Sequence, residues 1–119
     1  MRGFQRNKRD QWSDNVSLKK ELLHRSKTLD FFKFGTSSYE KILSLMATFT
    51  SNRDQFSRDE IWIMEHFPIY TIGLKKKHPN KANLPFKIIE TDRGGDITFL
   101  GLGQIIFYTL INLKRRKIF

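Results

Sequence analysis

Residues 91–112 read TDRGGDITFLGLGQIIFYTLIN, and both the fold and the function of the chain turn on this stretch. Gly94 and Gly95 follow Arg93, Gly101 and Gly103 flank Leu102, and an apolar run begins after Gln104. Glycine lets another group approach the backbone closely, so this clustering in a β-prone segment reads as two turns lining something. The spacing is neither that of a dinucleotide fingerprint nor that of a phosphate-binding loop. Two tight connections between strands are the plain alternative. On the residues alone, Gly94, Gly95 and Gly103 can bring N–H groups to a carbonyl or an anion, and Arg93 can support the loop or pair with Asp92 or Asp96. Thr98 offers a hydroxyl, and Phe99 and Tyr108 can wall an apolar slot, the usual make-up of a small-ligand pocket.

Downstream, residues 104–113 read as a long strand, with Ile105, Phe107 and Ile111 on one face and Ile106, Tyr108 and Leu110 on the other. A strand apolar on both faces expects cover on both sides, and the chain ends six residues later. An uncovered sheet of that kind is expected to form oligomers or take a partner polypeptide. The run Lys114-Arg115-Arg116-Lys117 either ends the strand facing water or contacts nucleic acid.

Upstream, residues 97–99 form a short strand and residues 86–91 another. Residues 74–85 make a polar loop carrying Lys75, Lys76 and Lys77, either solvated or docking an acidic partner. Residues 61–65 form a strand that Pro68, lacking an N–H, breaks before residues 69–72 continue. Tyr39, Ile42, Leu43, Met46 and Phe49 recur at helical spacing, which predicts an amphipathic helix to about residue 50 with that stripe facing the core. Ser37 and Glu40 have capping-box spacing at its start. Residues 29–34, rich in aromatics, are the first strand. The order β-α-β-β-β, with one main helix and a mixed sheet, is an α+β pattern.

Residues 1–28 are expected to be a basic, disordered extension, with a short helix over residues 15–25 as its one local preference. The domain proper is expected to span residues 29–119. The chain has 119 residues and a formal charge of +10, which favours nucleic acid, an anionic surface or an acidic protein as partner. The absence of cysteine excludes disulfides, thiolate metal sites and a cysteine nucleophile within these residues. No apolar stretch reaches membrane-spanning length and no secretory signal is visible, so no membrane role and a cytoplasmic location are expected. No metal-ligand spacing and no cofactor motif is present. His66 follows Glu65 in a strand-like segment, where adjacent side chains point to opposite faces, and reads as a structural histidine. No catalytic residue is assigned, because no hydroxyl groups with a histidine and an acid.

The string Arg93-Gly94-Gly95-x-x-Thr98-Phe99-x-Gly101-x-Gly103-Gln104, with Tyr108 after it, resembles the signature of the lipoyl(octanoyl) transferases, also called lipoate–protein ligase B. The resemblance extends upstream through residues 59–71, DEIWIMEHFPIYT, and downstream through Leu113-Lys114-Arg115-Arg116-Lys117, covering about residues 29–119. Leu100 stands where the family normally has His, and Leu102 where it has Pro. The resemblance implies the α/β fold shared by biotin and lipoyl protein ligases, here its N-terminal part. It implies transfer of an octanoyl group from acyl-carrier protein to a lysine of lipoyl domains, through a cysteine acyl-enzyme whose pKa a lysine lowers. Both of those residues belong to the half expected to be missing here, so a chain inactive alone is expected. What carries over is the substrate-binding loop of Arg93, Gly94, Gly95, Asp96, Ile97, Thr98, Phe99 and Leu100, continued by Gly101, Gly103 and Gln104. A non-catalytic acyl- or acidic-protein-binding module is the alternative, and a basic nucleic-acid-binding protein a more distant one.

Overall fold

The computed structural model describes residues 18–73, 84–91 and 96–117. Arg93, Gly94 and Gly95, and with them Lys75, Lys76 and Lys77, lie outside the described residues. The elements in chain order are β1 (Lys20–Arg25), β2 (Leu29–Phe34), α1 (Tyr39–Asn52), β3 (Asp59–Met64), β4 (Ile69–Gly73), β5 (Ile88–Thr91), β6 (Thr98–Leu100), β7 (Ile106–Leu110) and α2 (Leu113–Arg116). They make a four-stranded sheet in the order β1-β2-β3-β7 and a three-stranded one in the order β5-β4-β6. The α+β expectation holds, with two mixed sheets and α1 as the main helix.

β2 and β3 run parallel, with Phe32 opposite Trp62. Parallel neighbours need a crossover, and α1 supplies it. Helix and sheet close over a core of Phe34, Ile42, Trp62, Met64 and Leu110, with Phe32, Met46, Phe49 and Tyr108 packed against it. Trp62 stands at its centre, 5.0 Å from Phe34 and 6.0 Å from Phe49 between ring centroids. The helical stripe is therefore correct at Ile42, Met46 and Phe49. Leu43 is the exception, since it reaches solvent.

The expected capping box of Ser37 and Glu40 does not form, because the N-cap is one residue later and Lys41, not an acid, stands three residues after it. Ser38, not Ser37, is the N-cap, and its side chain accepts from the Lys41 N–H. Ser37 is engaged elsewhere: its N–H donates to the Glu65 carbonyl at 2.9 Å and its hydroxyl to the Gly35 carbonyl at 2.7 Å. The expected helix over residues 15–25 is overturned, and so is disorder for the part of that segment in β1. Lys20–Arg25 is a strand antiparallel to β2. A lone short helix is marginal in water, whereas β2 offers a ladder. Lys20 secures the strand by an ion pair with Glu60 at 2.7 Å, and its ammonium lies 4.9 Å from the Trp62 ring centre.

Pro68 does more than interrupt a strand. β3 ends at Met64 and β4 begins at Ile69 in the other sheet. Between them His66 forms a parallel bridge with Ser37, and the Phe67 N–H donates to the Ser37 carbonyl at 3.3 Å. β4 is the buried middle strand of the second sheet, parallel to β5 and antiparallel to β6. Lys87, just before β5, pairs with Glu40 in the first turn of α1 and so links that sheet to the helix.

β7 is shorter than the expected strand over residues 104–113. Asn112 ends it by donating its N–H to Asp59 at 2.9 Å and accepting from the Arg115 N–H, which starts α2. Alternation within β7 is as expected. Leu110 and Tyr108 face the core, while Phe107 is 61% exposed. By register Phe107 lies opposite Ile63, and Ile61 opposite Phe31, so these share the face away from α1.

Candidate functional site

The glycine stretch folds as β6, a turn and β7. The Gln104 N–H donates to the Gly101 carbonyl at 3.2 Å, closing a turn over Gly101, Leu102, Gly103 and Gln104. Gly103 has φ +87°, the value the third residue of a type II turn takes. A side chain there would be strained, so glycine is required by conformation. Gly101 matters for a different reason, because a side chain there would displace the Phe99 ring. A Cβ on it would meet Phe99 Cε2 at 2.6 Å, so the Phe99 ring lies directly over that backbone.

The Leu102 position follows from the same turn. The second residue of a type II turn favours proline, and Leu102 is exposed. Leu102→Pro is expected to stabilise the chain by about 0.4–1 kcal/mol through the unfolded state. A thermal melt should rise by about 2–6 °C. An unchanged or lower midpoint would mean that the turn does not accept proline's φ.

Phe99 belongs to an aromatic cluster. β6 pairs with β4 so that Phe99 is opposite Tyr70, with ring centroids 5.2 Å apart, and Phe86 lies 5.9 Å from Phe99. These rings make one apolar wall beside the turn. Phe99 is itself 39% exposed, which leaves ring surface for a ligand. The expected pairing of Phe99 with Tyr108 is not what forms. Tyr108 is on β7 in the other sheet, where its hydroxyl lies 2.7 Å from His66 Nε2.

His66 is fully buried. Its Nδ1 lies 2.8 Å from the Ser37 carbonyl oxygen, which can only accept, so Nδ1 carries the proton. Burial pushes the imidazole pKa below its ordinary value, against the Ser37 contact, which raises it. The neutral ring then presents the Nε2 lone pair, and the Tyr108 hydroxyl donates to it. Burial, with Tyr39 nearby, pushes the Tyr108 phenol well above its ordinary value, so it keeps that proton. Tyr39 meets the His66 ring edge-on at 5.4 Å. Both ring nitrogens are engaged, and the structural reading of His66 accounts for the geometry.

Glu65, next in the chain, points the other way. Its carboxylate oxygen accepts the Gly103 N–H at 2.7 Å. The N–H that the sequence offers to a ligand at Gly103 therefore already has a partner. Of the other loop positions, Ile97 and Thr98 are exposed and Leu100 is half-buried opposite Ile69, where an imidazole would have had hydrogen-bonding capacity that leucine lacks. Asp96 and Gln104 are at the surface. The cluster of Ser37, Tyr39, His66 and Tyr108 and the Glu65 contact were not legible in sequence, because nothing local joins residues so far apart. The one available signal was the alternation that sends Glu65 and His66 opposite ways.

Two residues of the basic run after β7, Arg115 and Arg116, turn inward onto one carboxylate that they share with Arg53, so the run keeps a net positive charge. Arg115 Nη2 lies 2.8 Å and Arg116 Nε 2.5 Å from the buried Asp59 carboxylate. Among the described residues no group of side chains could hold a metal ion, and no helix is long and apolar enough to cross a membrane.

Residues 38–119 match the model of the lipoyl protein ligase A/B catalytic domain. Among curated proteins the chain is similar to the octanoyltransferase of Shewanella piezotolerans, 40% identical over 94 residues, covering 76% of this chain and 42% of the relative. The octanoyltransferase of Salmonella paratyphi A is 42% identical over 89 residues, covering 72% and 41%. That of Vesicomyosocius okutanii is 44% identical over 82 residues, covering 68% and 40%. The chain thus spans about two fifths of the length of these relatives.

Proposed function

This chain belongs to the lipoyl protein ligase A/B catalytic-domain family, and on that premise we propose that it carries the acyl-binding part of an octanoyltransferase of lipoate biosynthesis. The observation that supports this best is the folded form of the stretch from Thr98 to Gln104: a Phe99 wall packed on Tyr70 and Phe86, followed by a turn that only glycine can make at Gly103. An octanoyl chain needs an apolar wall, and Phe99 with its neighbours supplies one, while the turn's Gly103 and Gln104 N–H groups are engaged within the chain. In this reading Arg93, Gly94, Gly95, Asp96, Ile97, Thr98, Phe99 and Leu100 line the acyl group, with Gly101, Gly103 and Gln104 as the turn beyond it. The donor is octanoyl-acyl-carrier protein and the acceptor a lysine of a lipoyl domain. The reaction belongs to the cytoplasm. None of the 119 residues is cysteine, so the thiolate that accepts the acyl group comes from outside them.

A second reading, binding without turnover, is favoured by the same lack of a thiol together with the +10 charge. Positive charge steers an acidic carrier protein in either case. Nucleic-acid binding loses weight because Arg115 and Arg116 are held by Asp59.

Surface plasmon resonance with immobilised octanoyl-acyl-carrier protein separates these. Acyl recognition expects tighter binding of the octanoyl form than of the unacylated carrier. Charge reversal at Lys75, Lys76 and Lys77 should slow association and weaken its salt dependence. Equal affinity for both carrier forms would reduce the role to docking an acidic protein. Retention of duplex DNA in place of either carrier, falling steeply with salt, would favour the nucleic-acid reading.

A further inference from the structure

The glycine turn is not held by its own hydrogen bond alone. A turn closed by a single N–H···O contact, at 3.2 Å between Gln104 and Gly101, is free to tilt about the strands that enter and leave it. The Glu65 carboxylate adds a second tether, 2.7 Å from the Gly103 nitrogen, and this one comes from the end of β3, 38 residues earlier in the chain. The Glu65 main chain is itself fixed. Its carbonyl accepts the Ser37 N–H at 2.9 Å, and Ser37 in turn takes the His66 Nδ1–H. The contact lies at the surface, and the turn sits where Phe99 ends its wall over Gly101.

We infer that Glu65 is a positioning residue for the acyl site, acting through the Gly103 N–H to set the tilt of the turn and, through Gly101, the seat of the Phe99 ring. The inference rests on the acyl-binding reading for its functional consequence, though not for the tether itself. Loss of the carboxylate frees the turn, so that Phe99 no longer presents one wall. Because the core contacts of β3 and β7, through Trp62, Met64 and Leu110, do not depend on the tether, its removal alters the site more than the fold.

The test compares Glu65→Ala with Glu65→Gln. The glutamine side-chain carbonyl still accepts from Gly103, so it preserves the tether without the charge. Amide exchange by NMR should be about 10-fold or more faster at Gly103 in the alanine variant, with exchange in β3 unchanged and the glutamine variant close to wild type. Binding of octanoyl-pantetheine, followed by Phe99 ring shifts, should weaken about 10-fold in the alanine variant and less than 3-fold in the glutamine variant, with melting midpoints alike. Equal Gly103 exchange in all three proteins would overturn the tether. Exchange that rises throughout β3 together with a lowered midpoint would make Glu65 merely structural and overturn the positioning role. If wild type fails to bind octanoyl-pantetheine while Gly103 exchange behaves as stated, the acyl-binding reading and the positioning role fall, and the tether stands.

Discussion

Asp59→Ala is expected to destabilise the chain by roughly 3–5 kcal/mol, the cost of breaking a buried ion pair from one side. That is a large share of what a domain of this size has. Asp59 is fully buried at the start of β3. Its carboxylate accepts from Arg53 at 2.7 Å, Arg115 at 2.8 Å, Arg116 at 2.5 Å and the Asn112 N–H at 2.9 Å. Three guanidinium groups, from the end of α1 and from α2, converge on one anion. Without it they face one another, and Arg53, which is only 16% exposed, has little water to turn to. Arg116→Ala should cost far less, since Asp59 keeps Arg53 and Arg115. Urea unfolding of both variants checks this, and equal midpoints would mean that Asp59 does not organise the cluster.

The same carboxylates set the acid limit of the fold. Burial pushes the Asp59 carboxyl up, but the hydrogen bonds from Arg116, Asn112 and Arg53 outweigh it and hold it well below the carboxylate range. At Asp30 the Arg58 hydrogen bonds dominate, with burial opposing and Arg25 helping, and hold its carboxyl at about 2 against an ordinary 3.8. A folded pKa below the unfolded one means that the unfolded chain takes up protons first. Stability from these groups is therefore complete above the ordinary value and lost as pH falls through it toward the folded one. His66 has the same sign, being depressed by burial from 6.5. The urea midpoint should begin to fall below about pH 6.5 through His66 and fall more steeply below about pH 4 through Asp30 and Asp59. In Asp59→Ala the lower step should shrink.

Local chemistry was readable and long-range chemistry was not. Pro68 announces a break because it has no N–H to give, and the structure uses that break to change sheets. Gly103 announces a turn because no other residue adopts its φ at ease. The aromatic strand at residues 29–34 and the helical stripe through Ile42 and Phe49 carry periods that a single element defines. β1 failed because its six residues have no period strong enough to outweigh the edge that β2 presents. In Lys114-Arg115-Arg116-Lys117 the water-facing reading holds at the exposed Lys114, Arg115 and Lys117, and what was missed is the inward contact of the two arginines. A basic run reads as solvent- or ligand-facing until the buried anion it serves is known, and Asp59 lies 56 residues from Arg115. In the site, the aromatic wall at Phe99 was legible as an apolar residue beside glycines, whereas Tyr108 was assigned to the wrong surface. Its alternation along β7 was read correctly. What lies over that face was not available from residues 104–113 alone.

A polypeptide of these 119 residues is expected to transfer no octanoyl group to a lipoyl domain. Acyl transfer through an acyl-enzyme needs an activated nucleophile, and there is no cysteine. A serine would need a base, and the buried histidine cannot supply it. The Ser37 hydroxyl donates to Gly35, and His66 contacts the Ser37 carbonyl instead, with its other nitrogen held by Tyr108. The sheet points to what would complete the site. Among the described residues β7 is an edge strand, and on the face away from α1 Phe107 is 61% exposed beside half-buried Ile61, Ile63 and Phe31. An open edge next to an apolar face is a template for another chain. A separate polypeptide carrying the remaining family sequence, with its cysteine and lysine, is expected to pair along β7, cover Phe107 and restore transfer from octanoyl-acyl-carrier protein. Phe107→Lys should abolish that rescue while leaving the core around Trp62 intact, because its side chain faces away from it. Intact-mass analysis of the lipoyl domain reads every arm. An octanoyl mass gain from the 119 residues alone would require a nucleophile other than a thiolate, and rescue undiminished by Phe107→Lys would move the docking surface elsewhere.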